Sequence, residues 1–263
     1  MMQSEGGVEN MHLRLTDTHA HLGDPVFDAD RPEVIRRARE AGVGTIVLVG
    51  ETLADARRNL ALAGEHPCLK PAAGLYPEFA DMEGAEHLLA FIREHQHRLC
   101  AIGEVGLDFR LDQEEADREL QRLVFRRFIE LAAELNLPLN VHSRSAGRQA
   151  VALLLETGAK RVQLHAFDGK YSAALPAVEA GYFFSVPPSI VRSRQKQKLV
   201  KLLPLACLLV ESDSPVLGPD PARRNEPANV ALAVQAIAEI KGINRAEVAE
   251  AVRENTRRLY GDL

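Results

Sequence analysis

The sequence predicts an α/β protein of a single domain, a (β/α)8 TIM barrel. Three observations predict it. Short apolar runs alternate with longer amphipathic patterns eight times over. Regular alternation implies a parallel sheet with helical crossovers, and eight units in 263 residues suit a closed barrel. No G-x-G-x-x-G opens the first helix, which disfavours the competing doubly wound dinucleotide-binding sheet. No linker, low-complexity stretch or internal repeat beyond the βα rhythm divides the chain. Residues 13–263 are therefore read as one barrel domain behind an N-terminal tail of residues 1–12.

The elements follow in order. Leu13–Thr16 opens the first strand, which runs into "HAH"; a helix over about Asp30–Ala41 is stopped by Gly42. "TIVLV" at 45–49, β-branched and bounded by glycines, is the second strand, and "LADARRNLALAGEH" the second helix. "CLKPAAG" is the third strand, followed by a helix over about Gly84–His97. "LCAIGEVGLD" is the fourth, leading into a Gly-rich loop. The long helix after it, about Glu114–Leu135, repeats apolar residues at three and four through Leu120, Leu123, Val124, Phe128, Leu131 and Ala132. "LPLNVHS", "RVQLHAF", "YFFSV" and "CLLVESD" are strands five to eight. Helices "GRQAVALLLETG", "AALPAVEAG" and "SRQKQKLVKLL" separate them, and two more, about 227–241 and 245–260, close the chain.

Composition narrows the class. Hydrophobic residues make up 46% of the chain, enough for a sizeable core, and the formal net charge is −5. No global basic field is available to hold nucleic acid, so such a role would need a local patch. The basic run "RSRQKQKLVK" at 192–201 could track a phosphate backbone or be a solvated helix face. Cys68, Cys100 and Cys207 are isolated, with no C-x-x-C pair, as expected in a reducing compartment. "MMQSEGGVEN" lacks the apolar region of a secretory leader, and "LLPLACLLV" is too short to span a bilayer. The expectation is an intracellular protein, cytoplasmic or nuclear, with no membrane contact and no obligatory protein partner.

Chemistry collects at the strand ends. In a barrel, the carboxyl ends of the strands ring one pocket. His19 and His21 stand there, two apart, so that in a strand their rings share one side. Glu104 ends strand four, His142 strand five, His165 strand six and Asp213 strand eight. The histidines at 66, 87, 95 and 97 fall in helices or at helix ends instead. Four imidazoles and two carboxylates on one rim point to a metal centre, since imidazole and carboxylate are ligands for zinc and related ions. Six donors exceed the needs of one catalytic ion, usually three protein ligands plus water. Two ions bridged by a carboxylate use them better. Glu104 is the expected bridge, with His19, His21 and Asp213 on one ion and His142 and His165 on the other.

Taken together, "DTHAHL", "AIGEVGLDF", "LPLNVHSR", "LHAFDG", "ESDSP" and "RRNEPANV" resemble, in order and across nearly the whole chain, the TatD family of metal-dependent deoxyribonucleases in the amidohydrolase superfamily. "HSRSAGR", "HAFDG" and "FFSVPPSIVRSRQKQKL" are similar to the vertebrate subfamily of third TatD-domain-containing deoxyribonucleases. The resemblance implies the same metal ligands and phosphodiester hydrolysis, with DNA as the usual substrate and 3′-end exonuclease activity as the common form. It further supports substrate contacts at Arg224 and Asn225 of "RNEP", while Arg144 is a candidate by its position after strand five, where the competing reading is a surface charge. One departure stands out. Where the family shows a histidine before proline after strand three, this chain reads "GLYP", placing Tyr76 near the substrate phosphate. Tyrosine donates one hydrogen bond and carries no positive charge near neutral pH.

The expected mechanism is metal-assisted hydrolysis, in which Asp213 takes the proton of an activated water, Glu104 bridges the ions and arginines meet the phosphate. Four histidines suit zinc or manganese, and two carboxylates keep magnesium open. Two alternatives compete with this reading. One is metal-dependent hydrolysis of a small ester, amide or phosphotriester on the same barrel. The other is a non-enzymatic nucleic-acid-binding or scaffold protein, which would be expected to lose metal ligands, yet all six are present.

Overall fold

Each of the eight apolar runs forms a strand, and the strands pair in parallel in chain order, first to last. The structure, a computed structural model, describes residues 15–110 and 114–263. The expected tail and the first two residues of the expected first strand lie outside the described residues. The strands are β1 Leu15–Ala20, β2 Val43–Leu48, β3 Leu69–Ala73, β4 Ala101–Gly106, β5 Leu139–His142, β6 Val162–Leu164, β7 Phe183–Val186 and β8 Leu208–Val210. Helices α1 Arg31–Glu40, α2 Leu53–Glu65, α3 Met82–His95, α4 Glu115–Leu135, α5 Gly147–Glu156, α6 Tyr171–Glu179 and α7 Arg194–Leu202 connect them. Helices α8 Val230–Lys241 and α9 Arg245–Tyr260 follow β8. Across the seam from β8 to β1, the Thr18 hydroxyl donates to the Val210 carbonyl at 3.0 Å and the Asp213 N–H to the His19 carbonyl at 2.9 Å. The sheet is thus a nearly closed barrel, and the expected fold class holds.

Local chemistry sets the boundaries. Thr52 caps α2 through the Asp55 N–H, Asp81 caps α3 through the Gly84 N–H, and Asn244 caps α9 through the Glu247 N–H. The Asp81 cap starts α3 two residues before the Gly84 start expected from sequence. Proline 227 has the opposite effect, holding residues 227–229 in a 3-10 turn so that α8 begins at Val230. The last strand is shorter than "CLLVESD" suggests, ending at Val210. Asp213 takes a left-handed φ of 54°, so the backbone leaves the ladder before reaching it.

Two apolar layers build the core. Strand and helix residues such as Val34, Leu88, Phe128, Leu154 and Ile237 fill the shell between sheet and helices. Inside the barrel, Val47, Ala72, Ala101, Phe183 and Leu209 form a smaller cluster closed by Leu259 and Tyr260 of α9. Ala101 and Phe183 of this plug begin their strands, and polar side chains gather towards the carboxyl ends. Among the described residues no helix is long and apolar enough to cross a membrane.

Candidate metal centre

The strands deliver all six expected donors to one place. His19 is the fifth residue of β1 and His21 follows its end; Glu104 lies in β4 and His142 ends β5. His165 follows β6, and Asp213 stands three residues beyond β8. The shared side predicted for His19 and His21 is realised, with their Nε2 atoms 3.2 Å apart. His19 and His165 stack with ring centroids 3.9 Å apart.

The first donor set has the dimensions of a coordination shell. His19 Nε2 lies 3.7 Å from Glu104 Oε2 and 3.5 Å from Asp213 Oδ1. His21 Nε2 lies 3.5 Å and 3.6 Å from the same two oxygens. Ligand atoms around a tetrahedral zinc-sized ion are about 3.3–3.6 Å apart, given bonds of about 2.0–2.2 Å. Five edges of the tetrahedron therefore fit, within a few tenths of an ångström. The second set is tighter. Glu104 Oε1 lies 2.6 Å from His142 Nδ1 and 2.9 Å from His165 Nε2, and those two nitrogens are 3.3 Å apart. These residues fit a second ion by donor type, with the carboxylate edges at hydrogen-bond length.

Sequence reasoning missed the groups behind the donors. Asn140 Oδ1 lies 2.8 Å from His19 Nδ1, while its Nδ2 donates to the Thr18 carbonyl. The amide orientation makes Nδ1 of His19 the donor and leaves the Nε2 lone pair for a ligand role. Asp108 Oδ2 holds His142 Nε2 at 2.9 Å, and Glu211 Oε2 stands 3.6 Å from His165 Nδ1. Glu211 also accepts from the Ala166 N–H and the Ser185 hydroxyl. A signal for several of them was in the sequence. Asp17, Asn140 and Gln163 each precede a histidine by two residues in or at the end of a strand, so period-two geometry places them one layer below it; Glu211 precedes Asp213 by the same spacing beyond the end of β8, and all four are buried.

Charge follows from this packing. Burial pulls the His19 imidazole down to about 3, aided by His165, so it is neutral as a ligand must be. Burial also opposes a charged His21, but the Asp213 carboxylate as acceptor and the charges of Glu104, Asp213 and Glu51 prevail and push it up to about 9. Desolvation acts the same way on His165 and His142, and Glu104 outweighs it, with Glu211 and Asp108 respectively, raising both above the usual imidazole range. Glu104, despite its burial, is held well below the usual carboxylate range by His165 and His142. Beneath them burial pushes Asp17 up to about 8. The site is a carboxylate-rich hollow that attracts positive charge.

A cleft of about 550 Å3 opens over this hollow, and Tyr76 and Arg144 line it as expected. The Tyr76 hydroxyl donates to Asp108 Oδ2 at 3.3 Å, and its ring meets His142 edge-on at 4.9 Å. Arg224 and Asn225 are not among the residues lining this cleft. Arg224 forks onto Asp30 at 2.6 and 2.9 Å and covers the Phe27 ring, beside a second cleft. Asn225 is buried, and its amide donates to the carbonyls of Ser212 and Val216, bracing the loop that carries Asp213.

Comparison with known proteins agrees with this geometry. The profile of the family described as TatD related DNase matches residues 16–261. The human protein named Deoxyribonuclease TATDN3 is 46% identical, over 95% of this chain and 95% of its own. An Erwinia tasmaniensis protein named 3′-5′ ssDNA/RNA exonuclease TatD is 34% identical, over 93% of this chain and 98% of its own. The crystal structure of the Escherichia coli TatD homolog YJJV superposes with a TM-score of 0.89 at 29% identity, covering 96% of this chain and all of that one. The chain belongs to the TatD related DNase family and is an enzyme, a metal-dependent hydrolase acting on ester bonds.

Proposed function

We propose that this protein hydrolyses phosphodiester bonds in DNA, removing nucleotides from the 3′ end with the help of two divalent ions. The observation that carries the reading is the division of Glu104. Its Oε2 faces His19 and His21 at 3.7 and 3.5 Å, and its Oε1 faces His142 and His165 at 2.6 and 2.9 Å. A carboxylate facing two histidine sets could be shared between two divalent ions, with His19, His21 and Asp213 holding one and His142 and His165 the other. When bound, such ions supply a water that ionises near neutral pH and neutralise charge on phosphate oxygens. Four imidazoles suit zinc or manganese, and the carboxylates keep magnesium open.

The chain's own residues supply the rest. Asp213 faces His19 and His21 through Oδ1 and would accept the proton released by the water through its other carboxylate oxygen. Arg144, exposed in the cleft, meets a phosphate oxygen through its guanidinium. Tyr76 shapes the rim and, through Asp108, steadies His142. Arg224 and Asn225 support the loop after β8 and are assigned no substrate contact. The names of the human and Erwinia relatives support DNA as substrate and attack from the 3′ end. The three free cysteines support work in a reducing compartment, cytoplasm or nucleus.

The test is single-stranded DNA labelled at the 5′ or the 3′ end, incubated with chelated and then metal-replenished protein, with bound metal measured on the same sample. A descending ladder from the 5′ label, immediate mononucleotide from the 3′ label and two ions per chain are expected. Turnover of small esters or phosphotriesters with every oligonucleotide left intact would overturn the reading.

A further inference from the structure

The basic run after β7 does not form one surface. Arg194, Lys198 and Lys201 are exposed, while Arg192 donates to the Gly218 carbonyl. Lys196 turns inward from the first turn of α7 and lines the metal cleft with Ser193 and Gln195. Its ammonium donates to the carbonyl of Ala166, next to His165, at 2.7 Å. Gln195 donates to the Gly169 carbonyl, so two side chains fasten this turn to the loop after β6.

An ammonium has three donors, and the Ala166 carbonyl takes one. Among the described residues no carboxylate lies within 4.0 Å of Lys196 Nζ; Glu211, Asp213 and Asp168 act on it at longer range. Burial accordingly lowers its pKa. A desolvated cation without a paired anion is costly, and an arriving anion offsets that cost. Arg144 follows β5 and Lys196 follows β7, so strand order sets the two cleft cations on either side of His165. We infer that Lys196 is a substrate-binding residue whose ammonium takes a non-bridging oxygen of a substrate phosphate held at the metal centre. The inference rests on the nuclease reading above and adds the residue that recognises the phosphate from the β7 side.

The experiment compares manganese-loaded wild type with Lys196→Met, Lys196→Gln and Lys196→Arg. It reads kcat and KM on single-stranded DNA, their dependence on salt, inhibition by inorganic phosphate, metal content and melting temperature. Gln retains a donor for the Ala166 carbonyl without the charge, and so separates bracing from phosphate binding. Lys196→Met and Lys196→Gln should each lower kcat/KM about 10–100-fold. They should weaken phosphate inhibition and flatten the plot of log kcat/KM against log salt by about 0.7, the share of one contact to single-stranded nucleic acid. Lys196→Arg should restore the slope. An unchanged slope and unchanged phosphate inhibition in Lys196→Gln would overturn the inference, whatever the rate. So would a fall in kcat that merely follows lost metal. If phosphate inhibition of ester turnover depends on Lys196 while wild type cleaves no oligonucleotide, the nuclease reading fails and the phosphate site stands.

Discussion

Asp213 combines a left-handed φ of 54°, a backbone bond to His19 and a carboxylate 3.5 Å from His19 Nε2. Such unfavourable backbone geometry persists where surrounding contacts over-determine it, often at functional sites. Asp213→Asn keeps the shape and removes the proposed base. Its cleavage rate should fall about 10²–10⁴-fold with folding intact and the Glu104–His142–His165 set still able to hold an ion. Near wild-type cleavage at full metal occupancy would show that Asp213 is not the base. A second expectation concerns protons. His21 is pushed up to about 9 and His142 and His165 are raised, so near neutral pH the ion-free site carries protons that a metal must displace. Metal affinity should therefore rise with pH from about 6.5 towards about 9, by about tenfold per pH unit for each proton displaced. Calorimetry in buffers of different ionisation enthalpy counts those protons, and a pH-independent affinity with no proton release would refute the assignment. The six donors were legible because histidines at strand ends stand out against apolar strands. Asp108 and Lys196 were not, because their partners come from other elements and only the folded barrel shows which way they turn.

At the level of the element, the βα alternation and approximate boundaries were legible from apolar runs and caps, while the departures trace to single residues. Proline 227 delayed α8, Asp81 advanced α3, and the turn of the backbone at Asp213 ended β8 early. Close approach between neighbouring strands was not legible, because a glycine reads alike in a loop and in a tight contact. Gly74, just beyond β3, is the clearest instance. A Cβ placed there would lie 2.4 Å from the Glu104 carbonyl oxygen and 2.6 Å from the Gly103 carbonyl carbon. Both are backbone atoms, so relief requires moving the strand that carries the proposed bridge. Gly74→Ala should lower thermal stability by about 1–3 kcal/mol and reduce metal content before it unfolds the barrel. A variant with wild-type metal occupancy and melting temperature would show that β4 tolerates the shift.

Across the whole molecule, the carboxyl-terminal helix reaches the metal centre through the barrel interior. Tyr260, the last residue of α9, donates its hydroxyl to Gln163 Oε1 at 2.6 Å and accepts from Asn140 Nδ2 at 3.2 Å. Asn140 in turn orients His19 through Oδ1 at 2.8 Å. Buried polar groups are costly when a partner is removed, so this column links α9 to the proposed metal ligands. The Tyr260 end of this column was not legible in sequence, where Tyr260 reads as an ordinary apolar position. Tyr260→Phe preserves the packing and leaves Gln163 and Asn140 each short of one partner. It should cost about 1–3 kcal/mol, seen as a melting temperature lower by about 2–4 °C per kcal/mol. Asn140→Ala, acting directly on the proposed ligand His19, should weaken metal binding about 10–100-fold. If the column is a single support, Tyr260→Phe should weaken metal binding less than Asn140→Ala, and adding it to Asn140→Ala should change the affinity no further. Full additivity of the two in metal affinity would mean that Tyr260 influences the centre by some route other than Asn140, and the column would then be a packing feature alone.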